Sequence, residues 1–187
     1  MIDLKPLVHR ILEDYSLRSD GTHGVGHWAR VLENGLRLAE ATGAKVEVVQ
    51  LFAVFHDSRR VSDGVDDDHG QRGADLAAEL RGDLFNLADA DFELLHAACA
   101  RHTDGLVDAD LTIQVCWDSD RLDLGRVGMA SKTPVVCDNM IPAPKKLCTP
   151  FAKTWEMIQW ADGRAAFEVV PELVKDEWGI ELPKWTS

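Results

Sequence analysis

Residues 46–57, with the sequence VEVVQLFAVFHD, decide the fold that we predict for this chain. The stretch is almost continuously apolar from Val46 to Phe55 and then ends in the adjacent pair His56 and Asp57. Such a run is typical of a buried helix or a buried strand, and the helical patterns on both sides of it favour a helix. Burying an imidazole beside a carboxylate costs free energy unless something satisfies both groups. A metal ion does so, because it binds a neutral histidine nitrogen and an ionised aspartate oxygen together.

Apolar periodicity predicts helices elsewhere in the chain as well, so we expect an all-α protein. Besides 46–57, the predicted helices cover residues 4–17, 25–42, 69–82, 92–103 and 110–124. Gly43 is a plausible left-handed stop for the second helix, and Asp67 or Asp68 is a candidate cap for the fourth. Prolines predict an irregular excursion at 129–150, followed by C-terminal helices from Thr149 to about Ala161 and up to Trp178 and Gly179. No segment alternates convincingly with a period of two.

Composition and charge limit the classes of function. The chain has 187 residues, of which 45% are hydrophobic, so we expect a single domain with a substantial core. A net charge of −12 disfavours a polymeric nucleic-acid partner and an anionic membrane surface. A small phosphorylated substrate remains compatible with this net charge, because a metal ion would neutralise the charge of its phosphate.

The sequence also indicates where the protein works. The start of the chain lacks the features of a signal peptide, and no stretch approaches the roughly 20 apolar residues of a membrane span. Its four cysteines, Cys99, Cys116, Cys137 and Cys148, are widely spaced and form no C-x-x-C pair. We therefore predict a cytoplasmic protein with reduced, buried thiols. The tryptophan-rich tail allows a homodimer.

Potential metal ligands recur on the apolar faces or at the ends of the predicted helices. They are His27, His56 with Asp57, His69, His102 and an aspartate of the sixth helix. A single buried histidine is more often a hydrogen-bonded core residue than a ligand, so the joint pattern is what indicates a metal. Periodicity leaves the aspartate open, since Asp118 and Asp120 each lie on an apolar face.

Five ordered blocks resemble the HD superfamily of metal-dependent phosphohydrolases, whose signature is H…HD…D on an all-helical bundle. The blocks are HWARVL at 27–32, FHDSRR at 55–60, HGQRGA at 69–74, RHT at 101–103 and DSDRLDLG at 118–125. The resemblance covers about residues 20–128, which would form the metal-binding HD core of one domain, 1–187. It stops at 129–187, which we expect to be a proline-rich segment and a C-terminal helical extension.

The resemblance implies a divalent metal, one or two ions of Mn, Mg, Fe, Co, Ni or Zn. Matched residue by residue, the signature ligands are His27, His56, Asp57 and the late aspartate. The family's ligand usually stands directly before the position held here by Arg121, which favours Asp120 and keeps Asp118 in reserve. Some members bind a second metal through extra histidines, and His69 and His102 match those positions. Asp57 would then bridge the two ions.

The activity that the resemblance implies is hydrolysis of a nucleotide or another small phosphate ester by attack of metal-activated water. We expect Asp57 to take part as a bridging ligand and Arg121 to contact phosphate. Arg59 or Arg60, which directly follow the metal pair, is a further candidate for that contact. His96 is predicted to be structural. The alternatives are a di-iron oxygenase of the HD type and a non-catalytic, metal-stabilised binding domain.

Overall fold

The structure is a computed structural model that describes residues 1–103, 109–123 and 173–181. Within these ranges the chain is all-α, which confirms the predicted fold class. The helices are α1 (Lys5–Glu13), α2 (Val25–Thr42), α3 (Val46–Phe55), α4 (His69–Leu80), α5 (Asp89–Ala100) and α6 (Leu111–Arg121). A single π-helical turn, Leu173–Glu177, lies in the C-terminal part. The described residues form no strand, although Arg81 and Phe85 pair in an isolated bridge.

The helix ends agree with the predicted ones to different degrees. α2 has the predicted bounds, and Gly43 stops it in a left-handed conformation with φ of 79°. α5 begins and ends three residues before the predicted 92–103, because Asp89 and Asp91 favour its first turn. Of the two predicted cap residues of α4, Asp68 stands at the cap position, although its side chain makes no capping hydrogen bond.

α3 forms the centre of the core. Every residue from Val48 to Phe55 is buried, so this helix is covered on all sides. It contacts α2, α5, α6 and α4, while α2 and α6 also pack against each other. Because α3 ends inside the protein, the residues that follow it, His56 and Asp57, enter the interior and are buried.

Two glycines of α4 allow this helix to approach its neighbours closely. A Cβ on Gly73 would lie 2.2 Å from the carbonyl oxygen of Phe55, and one on Gly70 would lie 2.5 Å from that of Cys99. Any side chain at these positions would push α4 away from the ends of α3 and α5. The first residue of α4, His69, therefore lies beside the residues that follow those two helices.

Most of the predictions for the C-terminal part of the chain concern residues outside the described ranges. The proline-rich segment 129–150, the helix predicted from 149 to 161, Cys137 and Cys148 lie outside the described ranges, whereas Cys99 and Cys116 are buried free thiols. The tail residue Trp178 is buried in the core, and its carbonyl oxygen lies 2.8 Å from Nε2 of His9. Among the helices described, none combines the length and the apolar character needed to cross a membrane.

Candidate metal centre

Two histidines and a carboxylate meet where α2, α3 and α6 converge, and we call His27, His56 and Asp57 the first triad. Nε2 of His27 lies 3.0 Å from Nε2 of His56, and Oδ2 of Asp57 lies 3.4 Å and 3.7 Å from these nitrogens. Oδ1 of Asp120 on α6 lies 3.4 Å from Nε2 of His27 and 3.8 Å from Nε2 of His56. The structure thus brings together the four residues that match the H…HD…D signature. Their nitrogen and oxygen donors suit a divalent cation.

Asp57 also belongs to a second triad, formed with His69 and His102. Its other oxygen, Oδ1, lies 3.3 Å from Nε2 of His69 and 3.7 Å from Nε2 of His102. The two imidazole nitrogens are 2.9 Å apart, and all three side chains are buried. In each triad the donor atoms lie within 4.8 Å of one another, so each could hold a metal ion. Asp57 directs one oxygen at each triad, which is the geometry of a bridging carboxylate.

The Nδ1 atoms of the four histidines all face oxygen acceptors. Nδ1 of His27 lies 2.7 Å from Oδ2 of Asp123, and Nδ1 of His56 lies 3.1 Å from the carbonyl oxygen of Phe52. Nδ1 of His102 lies 2.8 Å from the carbonyl oxygen of Cys99, and Nδ1 of His69 contacts that of Asp66. Because these oxygens accept, we assign the proton of each neutral ring to Nδ1. Each Nε2 then carries a lone pair directed into the centre.

The Nε2 atoms that face each other show whether these residues fit a metal ion. In the first triad two Nε2 atoms face each other at 3.0 Å, and in the second triad two do so at 2.9 Å. Two lone pairs at this distance repel, and neither nitrogen has a hydrogen to donate. A cation shared by the two nitrogens removes the conflict, and the carboxylates of Asp57 and Asp120 add negative charge beside it. The donor set therefore fits a divalent metal ion.

Protonation in the centre also suits metal binding. Burial lowers the pKa of His56 to about 3, so its imidazole is neutral. Burial alone would raise the pKa of Asp57, but the neighbouring imidazoles of His56, His102 and His27 outweigh burial and hold this pKa well below its usual range. For Asp120 burial acts in the same direction, and the neighbouring imidazoles again lower the pKa. Neutral imidazole and ionised carboxylate are the forms that bind a metal.

His102 shows where positive charge is favoured. Burial opposes protonation of this ring, but the facing carboxylates of Asp57 and Asp120 outweigh burial and raise its pKa. The second triad therefore favours a positive charge among its donors.

Asp123 positions His27 from outside the centre, and it is a residue for which we predicted no role. Its buried carboxylate accepts a hydrogen bond from Nδ1 of His27 at 2.7 Å and one from Nε of Arg30 at 2.6 Å. A carboxylate behind a histidine fixes both the ring orientation and the tautomer of a metal-binding imidazole. A sequence signal existed, because Asp123 follows Asp120 by three residues and Arg30 follows His27 by three. In helical structure this spacing places the members of each pair on one face.

The two arginines after the metal pair lie in different places. Nη1 of Arg60 lies 3.2 Å from Oδ1 of Asp57 and 3.0 Å from Nε2 of His69. Arg59, one of the two arginines that we predicted for contact with the phosphate, extends towards α1 and donates to the carbonyl oxygen of Ile11 at 3.4 Å. Of this pair, Arg60 is the residue that contacts the candidate centre.

Of the other predicted residues, Asp120 faces the histidines of the centre, whereas Arg121, Asp118 and His96 contact other groups. Arg121 donates to Asp118 at 3.3 Å, and its guanidinium lies 5.8 Å from the ring centroid of Trp117. Asp118 is thus engaged by Arg121, while Asp120 faces the histidines. His96 is 34% exposed, and its Nε2 lies 3.7 Å from Asp75 on the side of α4 and α5.

An unpredicted pair lies next to the first triad. Nδ1 of His23 is 2.8 Å from Oδ1 of Asp63, and the ring of His23 contacts that of His27 edge-on at a centroid distance of 6.2 Å. Asp66, in the same acidic loop as Asp63, accepts hydrogen bonds from the backbone of Val61 and from Arg72. These carboxylates hold the loop beside the centre.

Comparison with known proteins identifies the fold. No protein-family model and no curated protein matches the chain. Among solved structures it matches the crystal structure of a predicted HD superfamily hydrolase from an uncultured Thermotogales bacterium, with a TM-score of 0.60. The match covers 84% of each chain at 23% sequence identity.

The fold is the HD-domain fold. The His and Asp cluster of the HD-type bundle is consistent with the H…HD…D motif. A shared fold does not by itself determine a reaction, so the chemistry has to be argued from the site.

Proposed function

We propose that the protein is a metal-dependent phosphohydrolase of the HD superfamily that acts on a nucleotide or another small phosphate ester. The observation that carries the proposal is the pair of buried triads sharing Asp57, in which Nε2 lone pairs face each other at 3.0 Å and 2.9 Å. Likeness of the fold to a predicted HD superfamily hydrolase supports a hydrolase.

The chain's own residues would provide the binding, the charge and the orientation. One divalent ion would be held by His27, His56, Asp57 and Asp120, and the donors available to a second ion are Asp57, His69 and His102. When bound, such an ion lowers the pKa of a coordinated water and offsets charge on phosphoryl oxygens. Asp123 would hold the ring of His27 in place, and the backbone acceptors of the other three Nδ1 atoms would direct their Nε2 atoms into the centre.

The size and charge of the substrate follow from the electrostatics of the chain. A net charge of −12 repels a long polyanion, so a small phosphate ester is favoured over nucleic acid. Arg121 directly follows Asp120 at the end of α6 and is the arginine that we propose for contact with the phosphate. Planar guanidinium groups bind phosphate oxygens through two parallel hydrogen bonds.

A di-iron oxygenase is the second candidate, and the observation that favours it is the position of Asp57 between the two triads. A carboxylate that directs one oxygen at each of two histidine-containing triads would also bridge two irons. The hydrolase takes precedence because the matched structure is that of a predicted hydrolase. Two bound irons with oxygen consumption would favour the oxygenase, whereas turnover without oxygen would favour hydrolysis.

The test combines metal analysis with a phosphate-release screen. Protein purified without chelator is analysed for metals and then assayed, without oxygen, on nucleotides and phosphate monoesters with Mn²⁺, Mg²⁺, Co²⁺ or Ni²⁺. We expect metal-dependent phosphate release. His56→Ala and Asp57→Ala should each lose the metal and lower the rate by more than about a hundredfold, because both remove ligands of the same ion.

The control is His96→Ala, a histidine of α5 outside both triads, which should keep metal and activity. Metal-loaded wild-type protein that releases no phosphate across the whole panel would contradict the hydrolase. Loss of metal in His96→Ala together with its retention in His102→Ala would reverse the roles of these two histidines.

A further inference from the structure

Arg60 places a positive charge of the chain itself among the ligands of the second triad. Its Nη1 lies 3.2 Å from Oδ1 of Asp57 and 3.0 Å from Nε2 of His69. Since Nδ1 of His69 donates to the carbonyl oxygen of Asp66, its Nε2 is the acceptor and the guanidinium donates to it. The same guanidinium group therefore engages two of the three donors that a metal ion would need there.

The loop that follows Arg60 holds this guanidinium in place. Nε donates to the carbonyl oxygen of Ser62 at 3.2 Å, and Nη2 donates to that of Gly64 at 3.0 Å. The side chain is only 12% exposed. Because all three nitrogens of the group are engaged, its orientation is fixed before any ligand binds.

The first triad is different in this respect. Oδ2 of Asp57 and Oδ1 of Asp120 face the imidazoles of His27 and His56, whose Nε2 atoms lie 3.4–3.8 Å away. The two carboxylates thus bring negative charge beside the two imidazole nitrogens, and a divalent cation from solution would neutralise it.

We propose that the two triads are not equivalent: the first binds a resident divalent ion, while the guanidinium of Arg60 takes the place of the cation in the second. A second ion then binds only when Arg60 is displaced. An ion bound to Oδ1 of Asp57 and Nε2 of His69 at about 2.0–2.2 Å would use the same lone pairs as Nη1. The guanidinium and a metal ion at such a short distance would also repel each other strongly in a buried site. Arg60 thereby sets how many metals the protein holds, and this inference rests on the metal centre of the proposed function.

The experiment compares Arg60 with its neighbour Arg59. Arg60→Met and Arg60→Gln both remove the guanidinium from the second triad, and either variant suffices if it folds. Arg59→Met is the matched control, because it removes the same charge one residue away from a side chain that extends to α1. Full-length, chelator-treated protein is titrated with Mn²⁺ by calorimetry, and the bound Mn²⁺ is examined by electron paramagnetic resonance.

We expect wild type and Arg59→Met to bind one Mn²⁺ tightly and to show the spectrum of an isolated ion. Both Arg60 variants should bind the second Mn²⁺ at least about tenfold more tightly and show an exchange-coupled pair, because a repelling charge is gone. Unchanged stoichiometry and spectrum in a folded Arg60 variant would overturn the inference, as would two equally tight ions in wild type.

His102→Ala provides a measurement that does not depend on the folding of the Arg60 variants. It truncates the second triad only, so it should keep the single tightly bound Mn²⁺ of wild type, and loss of that ion would contradict the inference. Failure of the inference and failure of the proposed function are distinguishable. A protein with the expected Mn²⁺ stoichiometry that hydrolyses no phosphate ester contradicts the function alone, whereas one that binds no Mn²⁺ at all contradicts both.

Discussion

Two of the four histidines in the centre owe their orientation to the helix that precedes them. His56 and His102 stand just beyond the last residues of α3 and α5. Each Nδ1 donates to a backbone carbonyl oxygen three or four residues back, Phe52 O or Cys99 O, which also accepts the backbone N–H of the same histidine. His27 lies inside α2, where the carbonyls are already used by the helix. It needs a side-chain acceptor instead, which is Asp123.

Asp123→Asn tests this account of His27. Asparagine keeps the size of the side chain but removes the charge that fixes the imidazole and raises its basicity. We expect metal affinity to fall by about 10–100-fold, although every candidate ligand is still present. Competition with a chromogenic chelator measures the change. Asp63→Asn, at a carboxylate paired with His23, is the control and should leave metal affinity within a factor of about two. Equal affinities in wild type and Asp123→Asn would show that this carboxylate has no part in the centre.

Sequence reasoning reached the candidate ligands but not the residues that position them. His27, the HD pair and Asp120 were predicted because their side-chain types suit a metal and their order matches a known signature. The choice between Arg59 and Arg60 was beyond the sequence, because they are adjacent in a turn and their side chains leave it in different directions. Asp123 received no role because the residue type alone does not distinguish an aspartate that accepts a hydrogen bond from a ligand histidine from an aspartate on the surface.

Among the elements, α3 was the most predictable and the ends of the helices were the least. An almost continuously apolar run of this kind is typical of a buried helix or a buried strand, and the helical patterns on both sides of it favoured the helix. The helix ends at Phe55 rather than Asp57, and α5 ends before His102, so both histidines lie in turns. Composition alone does not fix such ends, because neighbouring side chains and unsatisfied carbonyls decide them.

Gly73→Ala tests whether the close contact between α4 and α3 holds the elements together. The added Cβ would lie 2.2 Å from the carbonyl oxygen of Phe55 and 3.2 Å from that of His56, both of them backbone atoms. α4 must shift to relieve the overlap, so we expect the free energy of unfolding to fall by roughly 1–3 kcal/mol. Urea denaturation of metal-free protein provides the measurement.

Gly64→Ala is the matched control for this substitution. Its Cβ would meet only the hydroxyl of Ser62, at an ordinary 3.5 Å. We expect a change within about 0.5 kcal/mol. If Gly73→Ala proved as stable as Gly64→Ala, the two helices would not need the close approach that we describe.

At the scale of the whole molecule, groups separated by almost a hundred residues converge on Asp57. The expectation that they converge came from the order of the motifs, since no local pattern reports which helices are neighbours. The number of metal ions could not be read from the sequence, because it depends on the distances between two triads and on the position of one arginine.

The metal-free protein should lose stability on mild acidification, because a buried histidine stays neutral. Burial lowers the pKa of native His56 to about 3, whereas the unfolded chain has the usual histidine pKa of about 6.5. Between these values the unfolded state binds a proton that the native state does not. The free energy of unfolding therefore falls as pH falls, by up to about 1.4 kcal/mol per pH unit.

Asp57, Asp120 and His102 act outside this pH window, whereas His23 acts inside it. Asp57 and Asp120 have lowered native pKa values, so their contribution is lost only when pH falls below about 3.9. His102 has a raised native pKa, so its contribution is complete below about 6.5 and is lost as pH rises above it. His23, whose native pKa burial lowers, adds a slope of the same sign as His56.

Urea denaturation with chelator at several values between about pH 6.5 and about pH 4.5 isolates the effect of His56. Wild type should lose stability steadily over this range. His56→Asn, which has no proton to gain there, should show a shallower slope and keep the part contributed by His23. Identical slopes in the two proteins would mean that native His56 takes up a proton as readily as the unfolded chain does. The imidazole would then not be held neutral by burial, and the lone pairs that call for a cation in the first triad would be satisfied by protons instead.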